Sequence, residues 1–263
     1  VRRSDSSHHS RFFRFSGLGC APDHPIKAHR MTTANLPLVT DELELLAGLV
    51  PLQGADIVEL GCGAAALARA LLRRFAGSRV TGLEVDERQH AKNLAAPAEG
   101  LLFLAAGAQA IPLPDGRFDL ALMLKSLHHV PRPLMAQALA EAARVLKPGG
   151  HLYVSEPVYA GTLNDIIKLY NDEREVRDAA QAALDQALQG SHWEQAADIR
   201  FETPMHFADF ASFEQKMMRP TFVDHAIDDA LLAQVRAAFM PHMGAQGADF
   251  VRAMHVRLLR KRG

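Results

Sequence analysis

The segment from Asp56 to Phe75, DIVELGCGAAALARALLRRF, constrains the fold of this chain more than any other. A short apolar run ends in two glycines one residue apart, Gly61 and Gly63, and leads directly into an alanine-rich stretch whose apolar residues recur at helical spacing. The arginines of this stretch fall on the opposite face, so the apolar face is expected to pack on a sheet. The pattern predicts a strand, a tight turn and a helix, with a nucleotide-type ligand site at the turn.

Two kinds of ligand fit this turn. The residues GCGAAA can be aligned with the dinucleotide pattern G-x-G-x-x-G/A, although a turn without a ligand also fits. Glu59 favours another ligand, because it lies two residues before Gly61 in an apolar strand, where a carboxylate is costly to bury unless a cation or a donor meets it. A cationic amino-acid group meets that need and a pyrophosphate does not. The alternative is a solvated acid at the end of the strand.

Composition limits the size of the protein and its partners. The chain has 263 residues, enough for one large α/β domain, and its net charge of -1 gives no reason to expect nucleic acid or an anionic membrane as partner. The two cysteines, Cys20 and Cys62, exclude a disulfide framework, and the thirteen histidines form no HExxH motif, so no metal is expected. No apolar run approaches the roughly 20 residues of a membrane helix. We expect a cytoplasmic protein with a small-molecule substrate.

Residues 1–34 differ in composition from the rest. Arginines, serines and histidines surround a small phenylalanine cluster there, which predicts a disordered or non-native N-terminal extension, with Met31 as the natural start. Residues 35–263 are expected to form a single domain.

The remaining strands follow from short apolar runs. A second strand, Arg79 to Val85, brings Glu84 to its carboxyl end, where an acid can take the hydroxyls of an adenosine ribose, a device that NAD enzymes share. Phe118 to Leu124 is apolar almost throughout, as expected for a parallel strand buried on both faces. Further strands are predicted at Leu101 to Leu104, His151 to Ser155, Ile199 to Phe207 and Phe250 to Leu259, and late helices at Asp209 to Met218 and Asp228 to Phe239.

Four segments, in order between residues 55 and 156, carry a family resemblance: VELGCG, VTGLEVD, AIPLPDGRFDLALMLKSLHHV and ARVLKPGGHLYVSE. In these segments the chain resembles the class I methyltransferases of the methyltransferase-11 and ubiquinone C-methyltransferase-like group. The resemblance implies an α/β fold with a doubly wound, mostly parallel seven-stranded Rossmann-like sheet, whose last strand is antiparallel. Apolar residues at helical spacing after the fifth strand predict, in addition, a helical cap insertion over the acceptor pocket, at residues 157–196.

The cofactor implied by the resemblance is S-adenosylmethionine, with S-adenosylhomocysteine as product. Glu59 and the glycine turn would hold its methionine end, Glu84 its ribose, and Val85 would flank the adenine. The adenine loop departs from the family pattern, because Gly107 stands where an acid is usual. The cofactor-binding residues expected from the resemblance are Glu59, Gly61, Cys62, Gly63, Glu84, Val85, Gly107, Ala108, Gln109 and Lys125.

Three residues near the same sheet edge are catalytic candidates. His128 and His129 follow the fourth strand and suit a general base, although they could instead position a helix. Glu156 follows the fifth strand, and it could bind the acceptor, take a proton or bond the sheet edge. The aromatic residues of the insertion are candidates for the acceptor pocket, with helix core as the alternative. They are Tyr159, Tyr170 and Trp193.

Together these features predict a methyltransferase of the general class EC 2.1.1 that moves a methyl group to a small molecule by in-line displacement. An NAD-binding oxidoreductase using the same turn is the first alternative, opposed by Glu59 and by the LKPGG turn. The second is a non-catalytic protein that binds S-adenosylmethionine, motivated by the missing acid in the adenine loop. An RNA methyltransferase is disfavoured by the neutral charge.

Overall fold

The computed structural model describes residues 36–219 and 226–263. The expectations for residues 1–34 lie outside the described residues. No helix within the described ranges has both the length and the apolar character needed to cross a bilayer.

A seven-stranded sheet forms the centre of the fold, in the order β3-β2-β1-β4-β5-β7-β6. The first five strands in this order run parallel, and β7 runs antiparallel to both of its neighbours. The expected mixed sheet with an antiparallel last strand is confirmed. The strands are β1 Asp56–Leu60, β2 Arg79–Leu83, β3 Leu101–Leu104, β4 Phe118–Leu124, β5 Leu146–Pro157, β6 Trp193–Phe207 and β7 Ala248–Lys261.

Helices cover both faces of the sheet, as expected from strands that are apolar on both sides. Parallel strands buried on two faces are apolar along their length, and β4 has no exposed residue. The helices are α1 Glu42–Ala47, α2 Ala66–Arg74, α3 Glu87–Leu94, α4 Met135–Val145, α5 Thr162–Ile167, α6 Arg174–Gln189, α7 Phe210–Phe213 and α8 Asp229–Phe239. Residues of α1 and α2 share one core cluster, and residues of α4 and α6 share another.

A third core cluster lies against an extension of the β6–β7 pair. Strand β5 pairs with β7 only as far as Met254, whereas β6 continues to pair with it as far as Ala248. Helices α5, α7 and α8 pack around phenylalanines of this extension and of their own sequence. These phenylalanines are Phe207, Phe210, Phe213, Phe239 and Phe250.

Some predicted element ends differ from the structure, because Leu146 of β5 pairs with Phe118 of β4 and Trp193 of β6 pairs with β7. Strand β5 begins at Leu146 rather than His151, and β6 begins at Trp193, paired with Lys261, rather than at Ile199. The predicted helix from Asp209 to Met218 is a short α-helix followed by a π-helical turn, Glu214–Met218.

The predicted cap at residues 157–196 contains α5 and α6, but it is shorter than expected. Residues 193–196 belong to the sheet. Helix α6 buries Ala180 and Leu184 against the same cluster as the sheet residue Leu259, so most of it covers the sheet. Only its first turn approaches the ligand edge described below.

Candidate active site

The glycine turn between β1 and α2 has the backbone conformation that its sequence predicts. Gly61 and Gly63 have φ angles of 77° and 50°, and Ala65 at the start of α2 is also left-handed. A Cβ atom on Gly61 would lie 2.8 Å from the Cβ of Ser126, whereas one on Gly63 would meet nothing within 4 Å. The turn is therefore closely packed beneath Gly61, and open space for a ligand remains above Gly63.

Glu59 is buried beside this turn. The residue is 4% exposed, and its Oε2 has no hydrogen-bond partner among the described residues. Burial raises the pKa of Glu59 to about 8, although attraction by Lys125 and a hydrogen bond from the Ala68 N–H oppose this. A solvated acid at a strand end is therefore excluded. A ligand cation at Oε2 would supply the partner that the protein does not.

Glu84 connects the end of β2 to the glycine turn. One of its carboxylate oxygens accepts the Gly63 N–H at 2.7 Å, and the other accepts the N–H groups of Val85 and Asp86 at 2.9 Å. Val85 itself is exposed beside this carboxylate. Glu84 therefore fixes the turn by hydrogen bonds within the protein.

Cys62 and Asn93 support the turn from below. Burial raises the pKa of the Cys62 thiol to about 12, so the side chain is a neutral packing group. Gly82 leaves room for it, because a Cβ there would lie 2.9 Å from the Cys62 Sγ. Buried Asn93 donates a hydrogen bond to the Gly63 carbonyl at 2.7 Å. Sequence reasoning missed Asn93, whose contact with the turn is purely tertiary.

The expected adenine loop follows β3. Ala108 is buried, and the Gln109 side chain covers Gly107 so closely that a Cβ on Gly107 would lie 2.5 Å from the Gln109 Oε1. The side chain of an acid at position 107 would have no room here, because the Gln109 amide occupies the space beside Gly107.

Lys125 and Ser126 follow β4 and lie next to the same turn. Lys125 has a φ of 54°, which is uncommon for a residue with a side chain, and its N–H donates to the Ser155 carbonyl at 2.7 Å. The buried Ser126 hydroxyl donates to the Leu60 carbonyl at 2.7 Å. This bend brings His128 and His129 back over the sheet edge.

The three catalytic candidates lie close together. His128 and Glu156 are buried, and the His128 Nδ1 is hydrogen-bonded to Glu156 Oε2. The other oxygen of Glu156 accepts the Leu127 N–H at 2.9 Å. The ring of His129 lies 4.1 Å from that of His128. Desolvation, followed by repulsion from His128, lowers the pKa of His129 to about 4, although part of its side chain faces solvent.

Glu173, which sequence reasoning missed, joins this cluster just before α6. Its Oε1 lies 4.0 Å from the His128 Nε2 and accepts the Asn171 amide at 2.9 Å, while its Oε2 accepts two N–H groups of Arg177. Arg177 is also bonded to the Asn164 side chain at 3.0 Å. Burial opposes ionisation of Glu173, but attraction by His128 and Arg177 outweighs it and lowers the pKa of this carboxyl. The i, i+4 spacing of Glu173 and Arg177 is the only sequence signal for this pair.

The three aromatic candidates do not lie together in the structure. Tyr159 lies just beyond β5 with the Arg174 guanidinium 4.3 Å from its ring centre, and the Tyr170 hydroxyl donates to the Met217 carbonyl at 3.0 Å. Trp193 does not lie at this edge. It is 2% exposed at the start of β6, paired with Lys261 at the opposite end of the sheet from Glu156. Its expected pocket role was wrong, because the strand begins earlier than its sequence indicates.

The sheet order and the strand, glycine turn and helix at its centre are those of the class I, Rossmann-like methyltransferase fold. Residues 58–154 match the methyltransferase-11 family model, described as a methyltransferase domain.

Curated relatives resemble this part of the chain. The 27-O-demethylrifamycin SV methyltransferase of Amycolatopsis mediterranei (strain S699) is 35% identical over 133 residues, which are 47% of each protein. The fatty-acid O-methyltransferase of Mycolicibacterium smegmatis (strain ATCC 700084 / mc(2)155) is 35% identical over 117 residues, covering 42% of this chain and 40% of that protein. The matched region thus spans less than half the length of these relatives.

Solved structures resemble the fold. The YcgJ protein of Bacillus subtilis has a TM-score of 0.59 at 16% identity, covering 84% of this chain and 98% of that one. The [4+2]-cyclase SpnF has a TM-score of 0.54 at 21% identity, covering 84% of this chain and 80% of that one. A cyclase among these neighbours means that the fold alone does not establish the reaction.

Proposed function

We propose that this protein transfers a methyl group from S-adenosylmethionine to a hydroxyl oxygen of a small molecule. The observation that carries the proposal is Glu59, a buried carboxylate with an unpartnered oxygen beside the glycine turn. The residues present fit the cofactor, because the α-amino group of its methionine end supplies the cation that Glu59 lacks. Glu84 and Val85 would take the ribose and flank the adenine, and residues 107–109 would meet the adenine edge.

The cofactor supplies an electrophilic sulfonium methyl when bound, so the protein has mainly to align the acceptor and to manage its proton. We assign the second task to the cluster of His128, His129, Glu156 and Glu173. Glu156 fixes the His128 ring through Nδ1, which leaves Nε2 on the Glu173 side. Oxygen is the proposed nucleophile because a hydroxyl must lose a proton during transfer and these side chains offer basic atoms.

Two relatives with oxygen acceptors support this choice. One is the fatty-acid O-methyltransferase reported above, and the other is the ubiquinone biosynthesis O-methyltransferase of Paracidovorax citrulli (strain AAC00-1), 33% identical over 114 residues. Tyr159 and Tyr170 are proposed to border the acceptor pocket. A cytoplasmic location belongs to the same proposal and is tested by cell fractionation.

The test begins with cofactor binding. Purified protein is titrated by calorimetry with S-adenosylmethionine, S-adenosylhomocysteine and NADH in separate experiments. We expect one molecule of either sulfur compound to bind per chain and NADH not to bind. Binding of NADH alone would replace the proposal by the oxidoreductase alternative.

Turnover is then tested with a carboxylic acid, a phenol and an aliphatic alcohol, with formation of S-adenosylhomocysteine as the readout. We expect acceptor-dependent product with at least one hydroxyl compound. Tight cofactor binding without product from an expanded acceptor set would instead favour the non-catalytic alternative. Methylation of an amine or a thiol alone would contradict the oxygen assignment.

A further inference from the structure

Three side chains of the cluster formed by His128, His129, Glu156 and Glu173 bring potential metal-ligand atoms close together. His128, His129 and Glu173 each present a ligand atom, and these atoms lie within 4.8 Å of one another. Within residues 36–219 and 226–263, this is the one group of at least three such side chains that meets this distance. Two histidines with one glutamate are also a donor set that holds catalytic zinc, with a further position open to water or substrate.

The surroundings of His128 fix it in the orientation that a metal ligand needs. Histidine ligands almost always donate their other ring N–H to a carboxylate or a carbonyl, which sets the tautomer and the ring angle. Here the His128 Nδ1 is bonded to Glu156, and Glu156 is in turn held by the Leu127 N–H. Nδ1 is thus occupied by a buried carboxylate, and Nε2 is directed to the Glu173 side, 4.0 Å from Oε1.

Glu173 is likewise fixed before any ion arrives. Arg177 binds its Oε2 through two N–H groups, and Asn171 binds Oε1, the oxygen nearer to His128. Arg177 is itself anchored by the Asn164 side chain, which belongs to α5. The α5–α6 region thus holds one ligand in place, and β4 with the bend after it supplies the other two.

We propose that His128, His129 and Glu173 bind one divalent transition-metal ion, with Zn²⁺ the best match to their nitrogen and oxygen donors. Metal–ligand bonds of about 2.0 to 2.2 Å place tetrahedral ligands roughly 3.4 Å apart. The ligand atoms therefore have to move closer together when the ion binds. Side-chain rotation of the partly exposed His129 provides part of this movement.

Charge in the cluster limits the affinity. Glu156 and Glu173 offset the two positive charges of the ion. However, Glu173 is also paired with Arg177. A second cation, Arg252, lies close enough for the charges of Arg177 and Glu173 to affect the pKa of Arg252. We therefore expect weaker binding than at a closed structural zinc site. This proposal departs from the sequence-based expectation of no metal, which rested on linear motifs, whereas Glu173 lies far along the chain from the paired histidines.

The role of the ion, unlike its binding, rests on the proposed function. In the metal-bound form His128, His129 and Glu173 act as ligands rather than as bases, and an acceptor hydroxyl bound at the open position would lose its proton to water more readily. Its oxygen would then form the bond to the methyl carbon as the carbon–sulfur bond breaks, with the electron pair going to sulfur.

The test is metal binding without cofactor or acceptor. Full-length protein is treated with a chelator, dialysed and titrated with Zn²⁺ by calorimetry and with Co²⁺ by visible absorption. All forms carry His8→Ala and His9→Ala, which removes the other adjacent histidine pair of the chain as a competing site. Glu173→Gln and His129→Ala each remove one ligand. Glu175→Gln is the matched control, because Glu175 is an exposed acid near the start of the same helix.

We expect one ion per chain and a Co²⁺ spectrum typical of a low coordination number. Glu173→Gln and His129→Ala should each weaken binding by at least about tenfold, and Glu175→Gln should not change it. Circular dichroism establishes that each variant is folded. Absence of stoichiometric binding, or equal affinity in all forms, would overturn the metal site. S-adenosylmethionine is titrated separately in the presence of chelator. Cofactor binding there, without metal binding in the other experiment, would overturn the metal site and leave the proposed function intact.

Discussion

Replacement of Glu59 by glutamine tests two effects of the buried carboxyl separately: the loss of folding stability when it ionises, and its contribution to cofactor affinity. Glutamine has nearly the same shape but no charge. The pKa of Glu59 rises from 4.5 to about 8 through burial. Because the folded protein holds this proton more tightly than the unfolded chain, folding stability falls as the pH rises from about 4.5 to about 8. The glutamine variant lacks this loss.

The magnitude follows from the two pKa values. Each pKa unit corresponds to about 1.4 kcal/mol, so at about pH 7 the wild-type protein has lost about 3 kcal/mol that the variant keeps. For a domain of this size that is a difference in Tm of about 6 to 12 °C. The difference should shrink towards zero near about pH 4.5.

Thermal unfolding is measured across this pH range with and without S-adenosylmethionine. Without ligand, Glu59→Gln should be the more stable form at neutral pH. With ligand, its binding should be weaker by about 10- to 100-fold, since a hydrogen bond to a charged group contributes about 1.5 to 3 kcal/mol. Glu99→Gln, which alters an exposed carboxylate, is the control. A pH-independent difference between wild type and variant would refute the burial argument, and equal cofactor affinity would refute the assigned role.

Three further predictions concern the turn, its support and the excluded tryptophan. Gly61→Ala should lower stability by about 1 to 3 kcal/mol more than Gly116→Ala in denaturant unfolding, because both positions have positive φ but only the Cβ at Gly61 collides; equal losses would contradict this. Glu84→Gln should weaken S-adenosylmethionine binding by about tenfold and lower Tm, because an amide donor would face backbone donors; unchanged values for both would disprove it. Trp193→Ala should lower stability by about 3 to 5 kcal/mol without changing the acceptor KM of the folded fraction. A selective rise in KM would restore its pocket role.

The features that could be predicted from the sequence are those encoded locally. The glycine turn follows from a change of hydrophobic period around Gly61 and Gly63, and the burial of Glu59 follows from its apolar neighbours. The four parallel-strand segments ending at Val85, Leu104, Leu124 and Ser155 were recognisable because each contains a short apolar run.

Features that depend on distant partners were missed. Strand β6 extends back to Trp193 because β7 pairs with it as far as Lys261, across an irregularity between Gln195 and Ala197 that disrupts the alternating pattern. The position of Glu173 depends on Arg177 and on the packing of α6, and its sequence neighbourhood is that of an ordinary exposed helix start. Tertiary contacts decided these points.

A crystal structure with S-adenosylhomocysteine bound would show directly whether Glu59 receives the cofactor. We expect the α-amino group of the homocysteine to lie within hydrogen-bond distance, about 3 Å, of the Glu59 Oε2, with the adenosine directed towards Glu84. A structure in which the ligand leaves this oxygen without a partner, or in which a nicotinamide cofactor occupies the glycine turn instead, would contradict this expectation.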